Sequence, residues 1–250
     1  MPIVLSNPTF FRENGYREPR TEDGLNTPLA SYFGKPNYGF FDYLRDHPTV
    51  QDTFMSSMQA QVRSTRLASS VYPYAERLAT TRPDDSPVAI VDVGGSRGEL
   101  LQELRRDYPS IQGRMIVQDR PQAVSAVTEP PEGIELTAHD MFAEQPVKGA
   151  RAYHLKRVLH DWADDQCRLI LKHLVAAMDK ERSVILIMDA VLPTRNCDFS
   201  RAMGDHSMLT FGGKERSEKD WKELLSSVGL EIARIYQGPE PEAVIECRPA

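Results

Sequence analysis

Apolar and polar positions change rhythm along the chain. Residues 1 to about 37 scatter the aromatics Phe10, Phe11, Tyr16, Tyr32 and Phe33 among Pro, Asn, Gly and charged residues without a period, which predicts an extended arm with a short helix. From Phe40 to about Arg82 apolar side chains recur every three or four positions, at Phe41, Leu44, Phe54, Met58 and Val62, and Pro48 divides the stretch into two helical segments. Pro83-Asp84-Asp85-Ser86-Pro87 ends it, because a residue before proline is pushed out of helical backbone. The chain thus divides into a leading arm and helical segment, 1–85, and a second domain, 86–250.

Beyond Pro87 short apolar runs alternate with amphipathic stretches of helical length, the pattern of βα units in a mostly parallel sheet. The runs predict strands at Val88–Val93, Arg114–Gln118, Ile134–Ala138, Ala152–Leu155, Val184–Met188, Glu231–Tyr236 and Ala243–Cys247. Helices are predicted near Glu99–Tyr108, Asp164–Met178 and Ser217–Val228, the last with Ser217 and Asp220 spaced as a capping box. Only Gln237-Gly238-Pro239-Glu240-Pro241-Glu242 separates the last two strands, too little for a crossover helix, so they should form an antiparallel hairpin. The fold class is α/β: a Rossmann-like, seven-stranded, mostly parallel sheet with a C-terminal hairpin, preceded by the helical segment.

Composition narrows the partners. A net charge of −6 and no Lys/Arg run longer than two argue against a nucleic-acid surface, which needs a basic stripe. The longest run of large apolar residues, Val184 to Met188, falls far short of the roughly 20 that span a bilayer, so no membrane partner is expected. The N-terminus carries no basic stretch ahead of Ile3-Val4-Leu5, which argues against a secretory signal. Cys167, Cys197 and Cys247 are odd in number and widely spaced, suiting neither a disulfide framework nor a zinc site. A reducing, cytoplasmic setting and no metal follow as expectations.

The chemistry gathers at predicted strand ends. Asp92-Val93-Gly94-Gly95-Ser96-Arg97-Gly98 follows a strand and opens a helix, so Gly94, Gly95 and Gly98 let backbone approach a ligand. The dinucleotide fingerprint wants Gly at positions one, three and six; from Gly94 the chain offers Gly, Ser96 and Glu99, which disfavours a nicotinamide cofactor. A tight turn without a ligand is the plain alternative. Asp119 ends the second strand, where a carboxylate accepts both hydroxyls of a ribose. Asp140 and Met141, after the third, suit an adenine amino group and ring face; a turn cap is the alternative for Asp140.

Tyr153-His154-Leu155-Lys156-Arg157-Val158-Leu159-His160-Asp161-Trp162 follows, and later Asp189-Ala190-Val191-Leu192-Pro193 and Gly212-Gly213-Lys214-Glu215-Arg216. With the glycine loop and His139-Asp140-Met141-Phe142, these segments resemble the plant and fungal small-molecule O-methyltransferases related to caffeic acid O-methyltransferase, especially the fungal secondary-metabolite branch. The resemblance covers residues 86–250, and residues 25–82 less distinctively. It implies S-adenosylmethionine as cofactor, held by Asp92, Gly94, Gly95, Gly98, Asp119, Asp140, Met141 and Lys156. It also implies a small-molecule acceptor, an aromatic or polyketide-like metabolite, lined by Met208. His160 would be the general base, with Asp189 and Glu215 orienting its ring. The physics agrees: transfer to a phenol needs the hydroxyl proton removed, and a carboxylate on the second ring nitrogen fixes the tautomer.

Plain alternatives stand beside these roles. Glu215 could be a first-turn charge ahead of the next helix, His206 could be a packed or solvated histidine, and Cys167 reads as core. Family members carry a winged-helix dimerisation domain before these helices, and this sequence begins where it would end, which leaves a homodimer open. Ser96 departs from the family's glycine and should cost about 1–2 kcal/mol if the loop is left-handed there. Two functions follow: an O-methyltransferase, or a methyltransferase-fold protein that transfers no methyl, such as a pericyclase, cyclase or inactive partner subunit.

Overall fold

In the computed structural model, the described residues are 2–17, 26–64, 71–78, 87–238 and 242–250. The expected break at 83–87 lies almost wholly outside them. The expected extended arm is instead largely helical: a 3₁₀ turn, Pro2–Ser6, then α1 (Asn7–Glu13) and α2 (Pro28–Phe33). Pro8 and Pro28 sit in the first turns of these helices, where a missing N–H costs nothing, and Thr27 Oγ1 caps α2 by accepting from Ala30 N–H. α3 (Phe40–Asp46) and α4 (Pro48–Ser64) divide at His47–Pro48, as the proline predicts, and α5 (Tyr74–Arg77) follows.

The seven expected strands are all present. They are β1 (Val88–Val93), β2 (Arg114–Asp119), β3 (Ile134–Ala138), β4 (Ala152–Lys156), β5 (Val184–Leu192), β7 (Leu230–Gln237) and β8 (Glu242–Pro249). A two-residue strand, β6 (Arg216–Ser217), adds to β5 beyond the sequence reading. The order is β3-β2-β1-β4-β5-β8-β7, parallel through β5, with β8 antiparallel to both neighbours. Helices α6 (Glu99–Asp107), α7 (Pro121–Ser125), α8 (Asp164–Ala177), α9 (Phe199–Phe211) and α10 (Glu218–Ser226) complete the chain. The Ser217–Asp220 capping box is formed in both directions. α9 had no counterpart in the sequence reading: Phe199 and Met203 are exposed and Gly204 interrupts it, so its apolar stripe is poor.

Strand alternation sorts the core into two layers. Val91, Val93, Ile116, Leu155, Ile185 and Ile187 pack toward α8 and toward Trp221 and Leu224 of α10. Ile90, Met115, Val117, Leu186 and Met188 pack toward Leu100, Leu101 and Leu104 of α6, joined there by Tyr72, Tyr74 and Leu78 from before the break. β1 is buried at all six positions, as a central parallel strand must be. The chain runs outward from β1 to β3 and returns to β4 on the other side of β1. Loops after β1 and β4 therefore diverge, opening a crevice at the C-terminal edge of the sheet, where such folds bind ligands.

Candidate active site

The crevice is floored by the loop after β1. Gly94 and Gly98 hold φ of +75° and +83°, and Gly94 N–H donates to Gln118 O at 2.7 Å. A Cβ at Gly95 would collide with the Asp92 carboxylate, so the loop lies directly on that side chain. Ser96 is left-handed at φ +54°, the strained state anticipated for it. Its N–H donates to Asp119 Oδ2 at 2.9 Å, while Arg120 N–H donates to Oδ1 at 2.7 Å. Two backbone donors thus orient the Asp119 carboxylate, and each oxygen keeps a lone pair for a ligand hydroxyl.

Asp92 lies beneath the loop, not on its open face. It is 1 % exposed; Oδ1 has no hydrogen bond and faces His154 Nδ1 at 3.6 Å, while Tyr74 Oη meets His154 Nε2 at 3.1 Å. Lys156 ends β4 nearby, and burial pulls its ammonium below the usual lysine range, against the pull of Asp92. Asp140 is exposed and caps its own turn, Oδ1 accepting Phe142 N–H at 3.0 Å. Met141 and Phe142 are half-buried, and Phe142 meets Trp162 edge-to-face at 4.9 Å. Phe41 of α3 reaches the same place: its ring is 6.1 Å from Trp162 and 4.3 Å from the Arg120 guanidinium.

A 3₁₀ turn, Leu159–Asp161, presents His160 just beyond β4. Nδ1 meets Glu215 Oε1 at 2.9 Å and lies 3.8 Å from Asp189 Oδ1, and Nε2 is 3.5 Å from Asp161 Oδ1. Burial works against the imidazolium, but Asp189, Glu215 and Asp161 outweigh it and push His160 up to about 10. Asp189 is fully buried with neither oxygen hydrogen-bonded, and burial raises it to about 7 although His160 opposes this. Both sequence-chosen carboxylates therefore converge on His160, and Glu215 is the one in direct contact.

The residues that arrange this contact drew no role from the sequence. Gly213 packs on the backbone of His160, where a Cβ would collide with the carbonyl, and Lys214 N–H donates to His160 O at 2.9 Å. Arg216, fully buried, donates to Leu159 O and Trp162 O, each at 2.9 Å, and to Asp164 Oδ1 at 2.8 Å. The Gly-Gly pair was the visible signal for the close approach; nothing in the sequence foretold which carbonyls Arg216 would meet. Asp205 Oδ1 accepts Glu215 N–H at 2.9 Å. His206 Nε2 lies 3.3 Å from Asn7 Nδ2, so it is tied to the N-terminal segment. Cys167 is buried in α8, in the core. Met208 is half-buried on α9. Beside Glu215 opens a cleft of about 530 Å³ whose lining includes Phe11, Leu192, Pro193, His206 and Leu209.

A parallel sheet with a glycine loop at its switch point, a carboxylate ending β2 and a histidine–carboxylate pair after β4 defines the α/β methyltransferase class. The sequence matches the O-methyltransferase domain over residues 17–231, and the chain belongs to that family. Methyltransferase cfoC of Aspergillus candidus is 38 % identical over 251 residues, 98 % of this chain and 61 % of that protein. Demethylsterigmatocystin 6-O-methyltransferase of Aspergillus parasiticus is 35 % identical over 247 residues, 98 % of this chain and 62 % of that one. OxaC, solved with sinefungin and meleagrin, superposes with a TM-score of 0.88 at 32 % identity, covering 99 % of this chain and 63 % of its own. LepI, solved with SAM, gives 0.85 at 30 %, covering 100 % and 64 %. The chain spans about three fifths of the length of these relatives.

Proposed function

We propose that the chain transfers a methyl group from S-adenosylmethionine to a hydroxyl of a small aromatic or polyketide-like metabolite, with His160 taking the hydroxyl proton. The observation that carries this is the 2.9 Å bond from His160 Nδ1 to Glu215, with Asp189 behind it, at the edge of the sheet that also carries the glycine loop and Asp119. The cofactor's groups find counterparts here. Asp119 keeps lone pairs for a ribose diol, Asp92 Oδ1 is an unpartnered buried acceptor beneath the loop, Lys156 is a half-buried cation, and Met141 and Phe142 offer apolar surface. When bound, S-adenosylmethionine supplies an electrophilic methyl group and a positive charge.

The chain's own residues do the rest. With Nδ1 donating to Glu215, the lone pair sits on Nε2, which accepts the acceptor's proton while Asp189 and Glu215 stabilise the imidazolium formed. A histidine raised to about 10 matches a phenol, so the transfer is near thermoneutral where an ordinary histidine would face a climb of roughly 5 kcal/mol. The same shift leaves only roughly 10⁻³ of the ligand-free protein unprotonated at pH 7. Turnover should therefore rise toward alkaline pH.

A protonated His160 also suits an acid, which favours a second reading: rearrangement of a bound substrate without methyl transfer. A solved structure described as a pericyclic reaction enzyme has the same fold, with a TM-score of 0.85 at 30 % identity. We also place the protein in the cytoplasm; among the described residues no helix is long and apolar enough to cross a membrane. The test is mass spectrometry with labelled cofactor. Methyl transfer yields one S-adenosylhomocysteine per product, and product without it would overturn the first reading. His160→Ala should cut turnover about 10² to 10⁴-fold while S-adenosylhomocysteine affinity stays within a few fold.

A further inference from the structure

We propose that Asp205 is a positioning residue for the His160 base, acting through the backbone of Glu215. The loop from Gly212 to Glu215 is held on one side by His160 itself, through the close packing of Gly213 and the Lys214 N–H bond to His160 O. Those contacts fix residues 213 and 214. Strand pairing resumes only at Arg216, opposite Val191. Between them the Glu215 N–H has one acceptor, Asp205 Oδ1 at 2.9 Å, reaching across from α9. The Glu215 side chain has three rotatable bonds, so a loose backbone would cost the 2.9 Å contact its geometry.

α9 is a firm anchor for this. Asp198 caps its start, accepting from Arg201 N–H at 3.0 Å, and Gly212 ends it in a left-handed turn. On its flank the buried Asn7 donates to Thr210 Oγ1 at 2.8 Å and meets His206 Nε2 at 3.3 Å. Asp205 therefore passes the position of α9, one wall of the cleft, to the carboxylate that orients the base. The charged groups facing His160 are Asp161 from its own turn, Asp189 from β5 and Glu215, with Arg216 beside Asp189; Asp205 shares its cleft with Arg17, Lys214 and Asp220.

The kinetic arm of the test rests on the methyltransferase reading; the titration arm does not. In ligand-free protein with labelled histidine rings, NMR should show Asp205→Ala lowering the His160 midpoint by about one pH unit or more. Asp205→Asn keeps a carbonyl acceptor at the same place and should leave the midpoint within about 0.3 unit. If Asp205→Ala does not fold, Asp205→Ser, whose hydroxyl is too short to reach, carries the same expectation. In turnover, Asp205→Ala should lower kcat about 10- to 100-fold, with acceptor KM within about threefold, and add little in a Glu215→Gln background. An unmoved His160 midpoint in Asp205→Ala, or equal shifts in the Ala and Asn variants, would overturn the proposal. A parent that titrates as described but makes no S-adenosylhomocysteine would overturn only the methyltransferase reading.

Discussion

Replacing Arg216 with methionine should unfasten the segment that carries His160, and the cost can be worked from its contacts. The guanidinium is fully buried and donates to the carbonyls of Leu159, which opens the 3₁₀ turn of His160, and of Trp162, which follows it. Methionine takes the charged donor from both carbonyls, leaving Leu159 O the Trp162 N–H at 3.3 Å and the Cys167 thiol at 3.2 Å, and Trp162 O only that thiol at 3.5 Å, at about 1–2 kcal/mol each. The pair with Asp164 adds about 1 kcal/mol, because that carboxylate is 32 % exposed and rehydrates. Removing the cost of burying a guanidinium, and the apolar packing gained against Trp221, offset about 1–2 kcal/mol. The net loss is about 1–4 kcal/mol, a substantial share of the ~5–15 kcal/mol that holds a domain together. Urea unfolding followed by tryptophan fluorescence is the assay, since the chain's two tryptophans both adjoin the change. With a urea slope of about 2–3 kcal/mol per molar, the midpoint should fall by about 0.5–2 M. A loss below about 1 kcal/mol with unchanged emission would refute the clamp.

Asp189→Asn should lower the His160 midpoint from about 10 by about 1–2 units and move the acid limb of turnover the same way. The charge removed lies 3.8 Å from Nδ1 and, with its own value about 7, is ionised throughout the range in which His160 titrates; Glu215 and Asp161 stay in place and hold the rest of the shift. Because His160 is raised on folding, its contribution to stability is complete below about pH 6.5 and is lost as pH rises through about 10; the Tm of the parent should fall more over that interval than that of His160→Gln. Ser96→Gly should leave Tm unchanged or raised, relieving about 1–2 kcal/mol of left-handed strain against about 1 kcal/mol of extra chain entropy. Calorimetry with S-adenosylhomocysteine should show affinity within about twofold, and a large loss would mean that the hydroxyl is itself a ligand.

The parts of the fold that were readable from sequence share one physical property: their pattern is local. Val88–Val93, apart from Asp92, and Val184–Met188 announce themselves because strands buried on both faces are nearly continuous apolar runs. The convergence of His160, Asp189 and Glu215 was available only through the family resemblance, since spacings of 29 and 26 residues carry no geometry. α9 stayed hidden because one side faces the N-terminal helices and another a cleft, so no single apolar stripe survives. Arg216 reads as an ordinary charged residue until the carbonyls of Leu159 and Trp162 are seen converging on it. The position of Asp92 beneath the loop was not readable either, because a strand end does not say on which side of the glycine turn its carboxylate falls.

The bond between Asn7 and α9 also sets an order of assembly. Its partners, His206 and Thr210, lie 199 and 203 positions further along. At about 5–20 residues per second, a ribosome needs roughly 10–40 s to deliver them after Asn7 has been made. Through that interval Ile3, buried in the finished protein on a 3₁₀ turn that packs against α9, lacks that surface. Contacts of such long range form late, after the loop entropy between them has been overcome. The wall of the cleft beside Glu215 thus forms late, and a nascent chain can pair β1 to β5 well before it can complete its site.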